Sequence, residues 1–265
     1  MLALLLTNQP PGHEARKLIA ALSKRGHQVD VNNPTATPDI VIARHVGNKN
    51  PGNLPLALHY QAMGVPVVNT PQSISLAKNK FEAGKLFEAN GLPVPRTREL
   101  TTLDHDIPYP LVAKVLRGSQ GRGVYLCETM NELINCSQDH GAMIIQEFIN
   151  TRPGEDLRVF VVGGRVLGVM HRKSLNGDFR ANISQGGVGE AYPLTPEIEN
   201  LALSAAKLIG TEICGVDLLF SENGFKLCEI NATPGFRGFD RYCGTNMADH
   251  IVDYIEQKLA VSVDR

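Results

Sequence analysis

The sequence predicts a mixed α/β (α+β) fold that opens with a small parallel sheet and continues in antiparallel hairpins. Two patterns carry this expectation. Before residue 75, short β-branched runs alternate with helical stretches, as parallel strands joined by crossover helices do. After Pro93 and Pro95, apolar runs come in pairs around glycine turns, the pattern of hairpins. With 265 residues, 43% of them hydrophobic and 20% charged, the chain can bury a large core.

The elements follow in order. Leu2–Thr7 reads as a buried strand and His13–Arg25 as a helix stopped by Gly26. Gln28–Val31, Asp39–Ala43 and Val65–Asn69 read as further strands, with a helix over Leu54–Met63. Gln72–Asn90 reads as one long helix ended by Gly91. Leu111–Leu116 and Val124–Cys127 are strands flanking a glycine-rich turn, and Glu128–Asp139 is a helix before the strand Met143–Ile149. Arg158–Val162 and Arg165–Met170 flank Gly163-Gly164, a strong hairpin signal. Pro196–Ile209 is a helix with Pro inside its start and Gly210 past its end. Gly215–Phe220 and Phe225–Ile230 form the last hairpin, and Asn246–Leu259 a closing amphipathic helix.

A formal net charge of -1 argues against nucleic-acid binding by bulk electrostatics, and no apolar run approaches the roughly 20 residues that span a bilayer. The opening Met-Leu-Ala-Leu-Leu-Leu lacks a basic leader and reads as a strand rather than a signal peptide. Five cysteines without a C-x-x-C pair suit free thiols in a reducing cytoplasm. The first strand runs into Thr7-Asn-Gln-Pro-Pro-Gly12, which has no close-approach glycine pair, so nicotinamide binding there is not expected.

The chemistry-bearing residues begin with the last hairpin. Asp217, Glu229 and Asn231 are oxygen donors, and both acids sit in otherwise apolar strands. A polar outer face is the plain alternative, but a buried carboxylate needs a partner, and Mg²⁺ suits this donor set. Asn223-Gly224 invites a two-residue type I′ turn, which pairs Glu222 with Phe225 and turns Asp217 away from Glu229. A shared metal instead calls for a three-residue loop, Glu222–Gly224, that pairs Ser221 with Phe225 and Asp217 with Glu229. The three-residue loop is the expectation.

Gly118-Ser119-Gln120-Gly121-Arg122-Gly123 lies between two strands with no helix after it, so it is not a P-loop. Such a turn can fold over phosphates as a flap or be a plain flexible turn. Lys114 precedes it on an apolar strand and, if inward, needs an anion. Lys80, between Lys78 and Lys85, is a second cation or a solvent-facing one. Gln146-Glu147-Phe148-Ile149 ends an apolar strand that could offer its backbone to an adenine edge and a carboxylate to a ribose. Arg172, Arg180 and Asn182 lie in a polar stretch that could bind a phosphoryl group or a carboxylate, or be a solvated loop.

Taken in order, Lys114 with Gly118–Gly123, Gln146–Ile149, Asp156-Leu-Arg158, Gly177-Asp-Phe-Arg-Ala-Asn182, and Asp217 with Glu229-Ile-Asn231 resemble the ATP-grasp superfamily. Within it the chain is similar to the RimK-type ligases, which add amino acids such as glutamate to a carboxylate. The resemblance implies an N-terminal parallel-sheet lobe (1–75), a central lobe with the flap (76–150) and a C-terminal antiparallel-sheet lobe with the metal site (151–265). It also implies roles. Lys80 and Lys114 would contact ATP phosphates, Gln146 to Ile149 would line the adenine, and Asp156, followed by Arg158, would lie near the ribose. Arg172, Arg180 and Asn182 would face the transferring phosphoryl group. Asp217, Glu229 and Asn231 would hold Mg²⁺, as two ions, with Mn²⁺ an alternative. Arg44 resembles a first-lobe arginine that faces the active site. After Pro234-Gly235 the chain departs from the common pattern, so Arg237 and Arg241 have no assigned role.

The activity implied is activation of a small-molecule or peptide carboxylate as an acyl phosphate, followed by attack of an amine, with ADP and phosphate released. A homo-oligomer in the cytoplasm, with no nucleic-acid or membrane partner, is expected. Two alternatives keep the nucleotide site: a kinase that phosphorylates an alcohol, and a non-catalytic ATP-binding subunit.

Overall fold

The computed structural model describes residues 1–46, 50–116, 123–181, 183 and 186–263. Strands β1 (Leu2–Leu6), β2 (Gln28–Val31), β3 (Ile40–Ala43) and β4 (Val67–Val68) form a parallel sheet in the order β2-β1-β3-β4. Helices α1 (His13–Lys24) and α2 (Asn53–Ala62) connect them. Strands β1 and β3 are buried on both sides, which is why they read as continuous apolar runs, whereas the edge strand β2 is only half-buried.

The expected single helix over Gln72–Asn90 is two helices, α3 (Pro71–Lys78) and α4 (Lys80–Ala89). Asn79 breaks them apart. Its backbone is extended, at φ −88° and ψ 91°, and its side chain accepts from the Glu82 N–H as an N-cap. The break sets Lys80 at the first position of α4.

The central sheet is antiparallel, in the order β5-β8-β6-β7, from β5 (Thr97–Glu99), β6 (Leu111–Val115), β7 (Val124–Cys127) and β8 (Met143–Glu147), with α5 (Met130–His140) beside it. Strand β5 follows Pro95 at a place where the sequence gives no element. Leu111, Ala113, Met143 and Ile145 point into a small core with Leu133 of α5, so the alternate residues Lys114, Ile144 and Gln146 face the opposite way.

The third sheet runs β11-β10-β9-β12-β13, all antiparallel. It comprises β9 (Glu155–Val162), β10 (Arg165–Lys173), β11 (Val188–Tyr192), β12 (Ile213–Ser221) and β13 (Gly224–Asn231). Gly163 and Gly164, at φ 57° and 75°, make the two-residue turn that their sequence announces. Helix α6 (Pro196–Ile209) has the expected bounds, with Thr195 capping the Ile198 N–H and Gly210 left-handed at φ 73°. Also unanticipated are β11, and α7 (Arg237–Cys243) ahead of the closing α8 (Met247–Val263). No helix among the described residues is long and apolar enough to cross a membrane. All five cysteines are free thiols.

The register of the last hairpin corrects the loop expected for it. The turn has two residues, Glu222 and Asn223, and pairs Ser221 with Gly224. Leu218 then faces Leu227, but Asp217 faces Glu229. Cys228 is the extra residue, a β-bulge. The pairing of the two acids is therefore as expected, while a bulge rather than a three-residue loop produces it.

One face of the third sheet joins the first lobe. Phe160 and Val162 of β9 pack with Ala3, Leu5, Ile40 and Ile42, and with Ile251, Val252 and Ile255 of α8. At this seam Asn69 is a polar staple. Its amide nitrogen donates to Ile213 O and Ala232 O, both at 2.6 Å, and its oxygen accepts from the N–H groups of Glu212 at 2.7 Å and Ile213 at 2.9 Å. Asn69→Ala leaves these buried groups unpaired, so urea unfolding should lose about 3 kcal/mol of stability. A loss under about 1 kcal/mol would show that the staple adds little.

Candidate active site

Strands alternate their faces, so Asp156 and Arg158 on β9 share the side opposite Leu157 and Val159. Cross-strand pairing sets Asp217 between Arg158 and Glu229, and Arg172 beside Asp156. The result is a row of opposite charges, buried at Asp217 and Arg172 and half-buried at its other members. Arg158 grips both oxygens of Asp217, its Nη2 at 2.7 Å. Arg172 forks onto Asp156, 2.6 Å to each oxygen, and reaches Asp217 at 2.9 Å. Lys80, brought in by the Asn79 break, donates to Glu229.

These contacts set the protonation states. Burial alone raises the Asp217 carboxyl, but Arg158 and then Arg172 outweigh it and hold its pKa at about 2. Glu229 is likewise lowered, because Lys80 outweighs burial and the repulsion of Asp217. Burial raises Asp156 despite Arg172. Three acids (Asp156, Asp217, Glu229) thus face three bases (Arg158, Arg172, Lys80).

Beside this row lies a cleft between the central sheet, α4 and β13, lined by Lys80, Lys114, Gln146 and Glu229. Lys114 projects into it, 7% exposed, where an anion was expected; its ammonium donates to Gln146 Oε1 at 2.5 Å and lies 3.8 Å from Cys228 Sγ. Gln146 in turn donates to the Thr97 hydroxyl at 2.9 Å. Glu147, at the end of β8, accepts from Lys226 at 2.9 Å and from the Arg96 N–H at 3.1 Å, and Phe148 meets Phe179 edge-on. Ile149 follows, half-buried. Thr97, Cys228 and Lys226 escaped notice in the sequence. Thr97 lies where the sequence gives no element, and Lys226 and Cys228 are single polar residues around Leu227 on β13.

Several expected site residues stand apart. Asp156, expected near a ribose, has both oxygens bound by Arg172, because Arg172 lies directly across from it on β10. Arg158, named only for its place in the same motif, is the main counter-ion of Asp217. Arg180 is held by Asp178 at 2.6 Å and reaches Val124 O at 3.5 Å, just beyond the glycine turn. Arg237 and Arg241 are exposed on α7. Gly118, Ser119, Gln120, Gly121 and Asn182 lie outside the described residues. Gly123 is left-handed at φ 71°, and a Cβ there would overlap a Val115 methyl carbon.

The donor set fits a hard divalent cation. Asp217 and Glu229 are opposite one another, and Asn231 lies two residues on, its oxygen now accepting from the Thr233 N–H at 2.9 Å. Among the described residues no cluster of three His, Cys, Asp or Glu forms a metal cage by itself. Two carboxylates and an amide leave coordination positions for phosphate oxygens and water, as Mg²⁺ prefers.

Comparison with known proteins agrees with this geometry. Residues 77–255 match the RimK-like ATP-grasp domain. A probable alpha-L-glutamate ligase of Legionella pneumophila (strain Corby) is 32% identical, over 97% of this chain and 95% of that protein. A probable alpha-L-glutamate ligase of Parasynechococcus marenigrum (strain WH8102) is also 32% identical over 96% of this chain, which spans only 62% of that longer protein. Among solved structures, the ATP-grasp ligase PsnB complexed with minimal precursor, Mg and ADP superposes with a TM-score of 0.74 at 19% identity, covering 99% of this chain and 98% of PsnB. With the charge row and the adjoining cleft in place, these likenesses show that the chain belongs to the RimK-like ATP-grasp family of ATP-dependent carboxylate–amine ligases.

Proposed function

We propose that this chain activates the carboxylate of a small molecule or peptide as an acyl phosphate and joins it to the amine of an amino acid such as glutamate, releasing ADP and phosphate. The observation that carries this reading is the row of three acids matched by three bases beside the cleft, with Asp217 and Arg172 buried at its centre. Mg·ATP brings one cation and several anions together. Lys80 and Arg158 would then pass from carboxylates to phosphate oxygens while Asp217, Glu229 and Asn231 hold the metal, and Arg172 keeps Asp156 as its partner. The exchange leaves no charge unpaired, which matters because stripping one partner from a buried pair costs about 3–5 kcal/mol.

In this reading Lys114 turns from Gln146 to a phosphate, and the segment from Gln146 to Ile149 lines the base. Mg²⁺, as one or two ions or replaced by Mn²⁺, supplies neutralisation of the phosphate charge. Arg172 and Arg180 stabilise the charge that spreads over the phosphoryl oxygens during transfer. The turn ending at Gly123 serves as the cover that keeps water from the acyl phosphate. A carboxylate accepts the phosphoryl group, and the amine then attacks its carbonyl carbon and expels phosphate.

The test of the reaction is ADP release screened over glutamyl acceptors with L-glutamate and other amines, with mass spectrometry of the product. An amide product formed only when carboxylate, amine and ATP are all present is expected. A phosphorylated alcohol, or ATP bound without turnover, would contradict the reading.

Two further outcomes follow from the charge exchange. Free Mg²⁺ should raise the melting temperature much less than Mg·ADP does, because the metal alone strands Lys80 and Arg158; equal shifts would contradict the exchange. Arg180→Ala, whose side chain is partly exposed, should lower turnover at saturating ATP by more than about tenfold, roughly 1.4 kcal/mol, with little change in stability. Turnover close to that of the unaltered enzyme would return this residue to a surface role.

A further inference from the structure

Strand β1 is the switch strand of the first sheet, since the chain leaves it for β2 on one side and β3 on the other. A crevice opens where such connections diverge, at the carboxyl ends of β1 and β3. Arg44 stands there, one residue beyond β3, and is only 5% exposed. Its Nη2 donates to Pro234 O at 2.7 Å, its guanidinium lies 5.8 Å from the centre of the Phe236 ring, and its Nε has no partner. Among the described residues no carboxylate comes within 4.0 Å of it. Glu14 of α1 acts on it only from farther away. Burial lowers its pKa to about 10, which still leaves a cation at neutral pH. A buried cation without a counter-ion is costly, and Arg172, equally buried in the same protein, has two carboxylates.

Arg44 borders a narrow opening whose other walls include Val68, Ile213 and Ala232. The remaining polar side chain there, Asn69, has its nitrogen and oxygen committed to the staple described above. Ala232 directly follows Asn231. The space therefore offers one guanidinium and apolar walls, one residue away from the metal-binding set.

We infer that Arg44 is a substrate-recognition site that takes a carboxylate carried on a short aliphatic stem. A carboxylate at Arg44 Nε and the open face of the guanidinium makes a charge-assisted pair, and its methylenes cover the apolar wall. The site is separate from the nucleotide cleft of Lys80 and Lys114. It rests on the ligase reading, because it gives the first lobe the task of holding the substrate's anionic end against the metal loop.

Calorimetric titration of the Mg·ADP-loaded protein with L-glutamate and with glutarate tests it. At least one of the two should bind, and Arg44→Met should weaken that binding more than about tenfold while Mg·ADP affinity stays within about twofold. Arg44→Lys keeps the charge without the fork, should weaken binding several-fold, and decides the matter if Arg44→Met does not fold. Equal carboxylate affinity in the variants would overturn the site. So would absence of binding of both probes to the unaltered protein, or a parallel loss of Mg·ADP affinity, which would mark Arg44 as a structural clamp. Carboxylate binding that depends on Arg44, without amine-dependent ADP release, would overturn the ligase reading and leave the site standing.

Discussion

Charge neutrality inside a folded sheet is the constraint on which this structure depends. Asp217 is nearly inaccessible to solvent, and an isolated carboxylate there would be expelled or protonated. Two arginines on neighbouring strands make it tolerable, and each arginine is useful only at one register. The bulge at Cys228 follows from the same demand. It brings Glu229 opposite Asp217, and the break at Asn79 brings Lys80 to Glu229. A ligand that carries both signs of charge can enter such a row by exchanging partners. A ligand of one sign cannot do so without stranding a charge.

The same sheet explains how the lobes cohere. Towards one end of β9, Asp156 and Arg158 face the catalytic side, while Phe160 and Val162 on that same face pack against the first lobe and α8. Burying each large apolar side chain there is worth about 1.5–3 kcal/mol. The apolar half holds the first lobe, and with it Arg44, close to the metal loop. Stability and site geometry are thus two halves of one strand pattern, separated by Val159.

Much of this was legible in the sequence, for identifiable reasons. Acids embedded in Val-Asp-Leu-Leu and Leu-Cys-Glu-Ile announce buried charge, and Gly163-Gly164 and Pro196 with Gly210 mark their turn and helix directly. Other features were hidden. Strands β5, Thr-Arg-Glu, and β11, Val-Gly-Glu-Ala-Tyr, are edge strands without an apolar run, held by the hydrogen bonds of their neighbours. Asn79 looked like one polar residue on a helix because Lys78 and Lys80 flank it. The hairpin offered two registers, and the need for paired acids selected the correct partners while the local turn took a third route through a bulge. Asp156 and Arg172 are 16 residues apart, and only the strand pairing reveals that they bind each other.

The central claim is that the charge row transfers a phosphoryl group to a carboxylate. The most direct measurement uses a glutamyl peptide whose carboxylates carry oxygen-18, incubated with the enzyme, Mg·ATP and L-glutamate. The account predicts that each phosphate released carries one labelled oxygen, because the carboxylate oxygen leaves with the phosphoryl group. Unlabelled phosphate accompanying amide formation would contradict it.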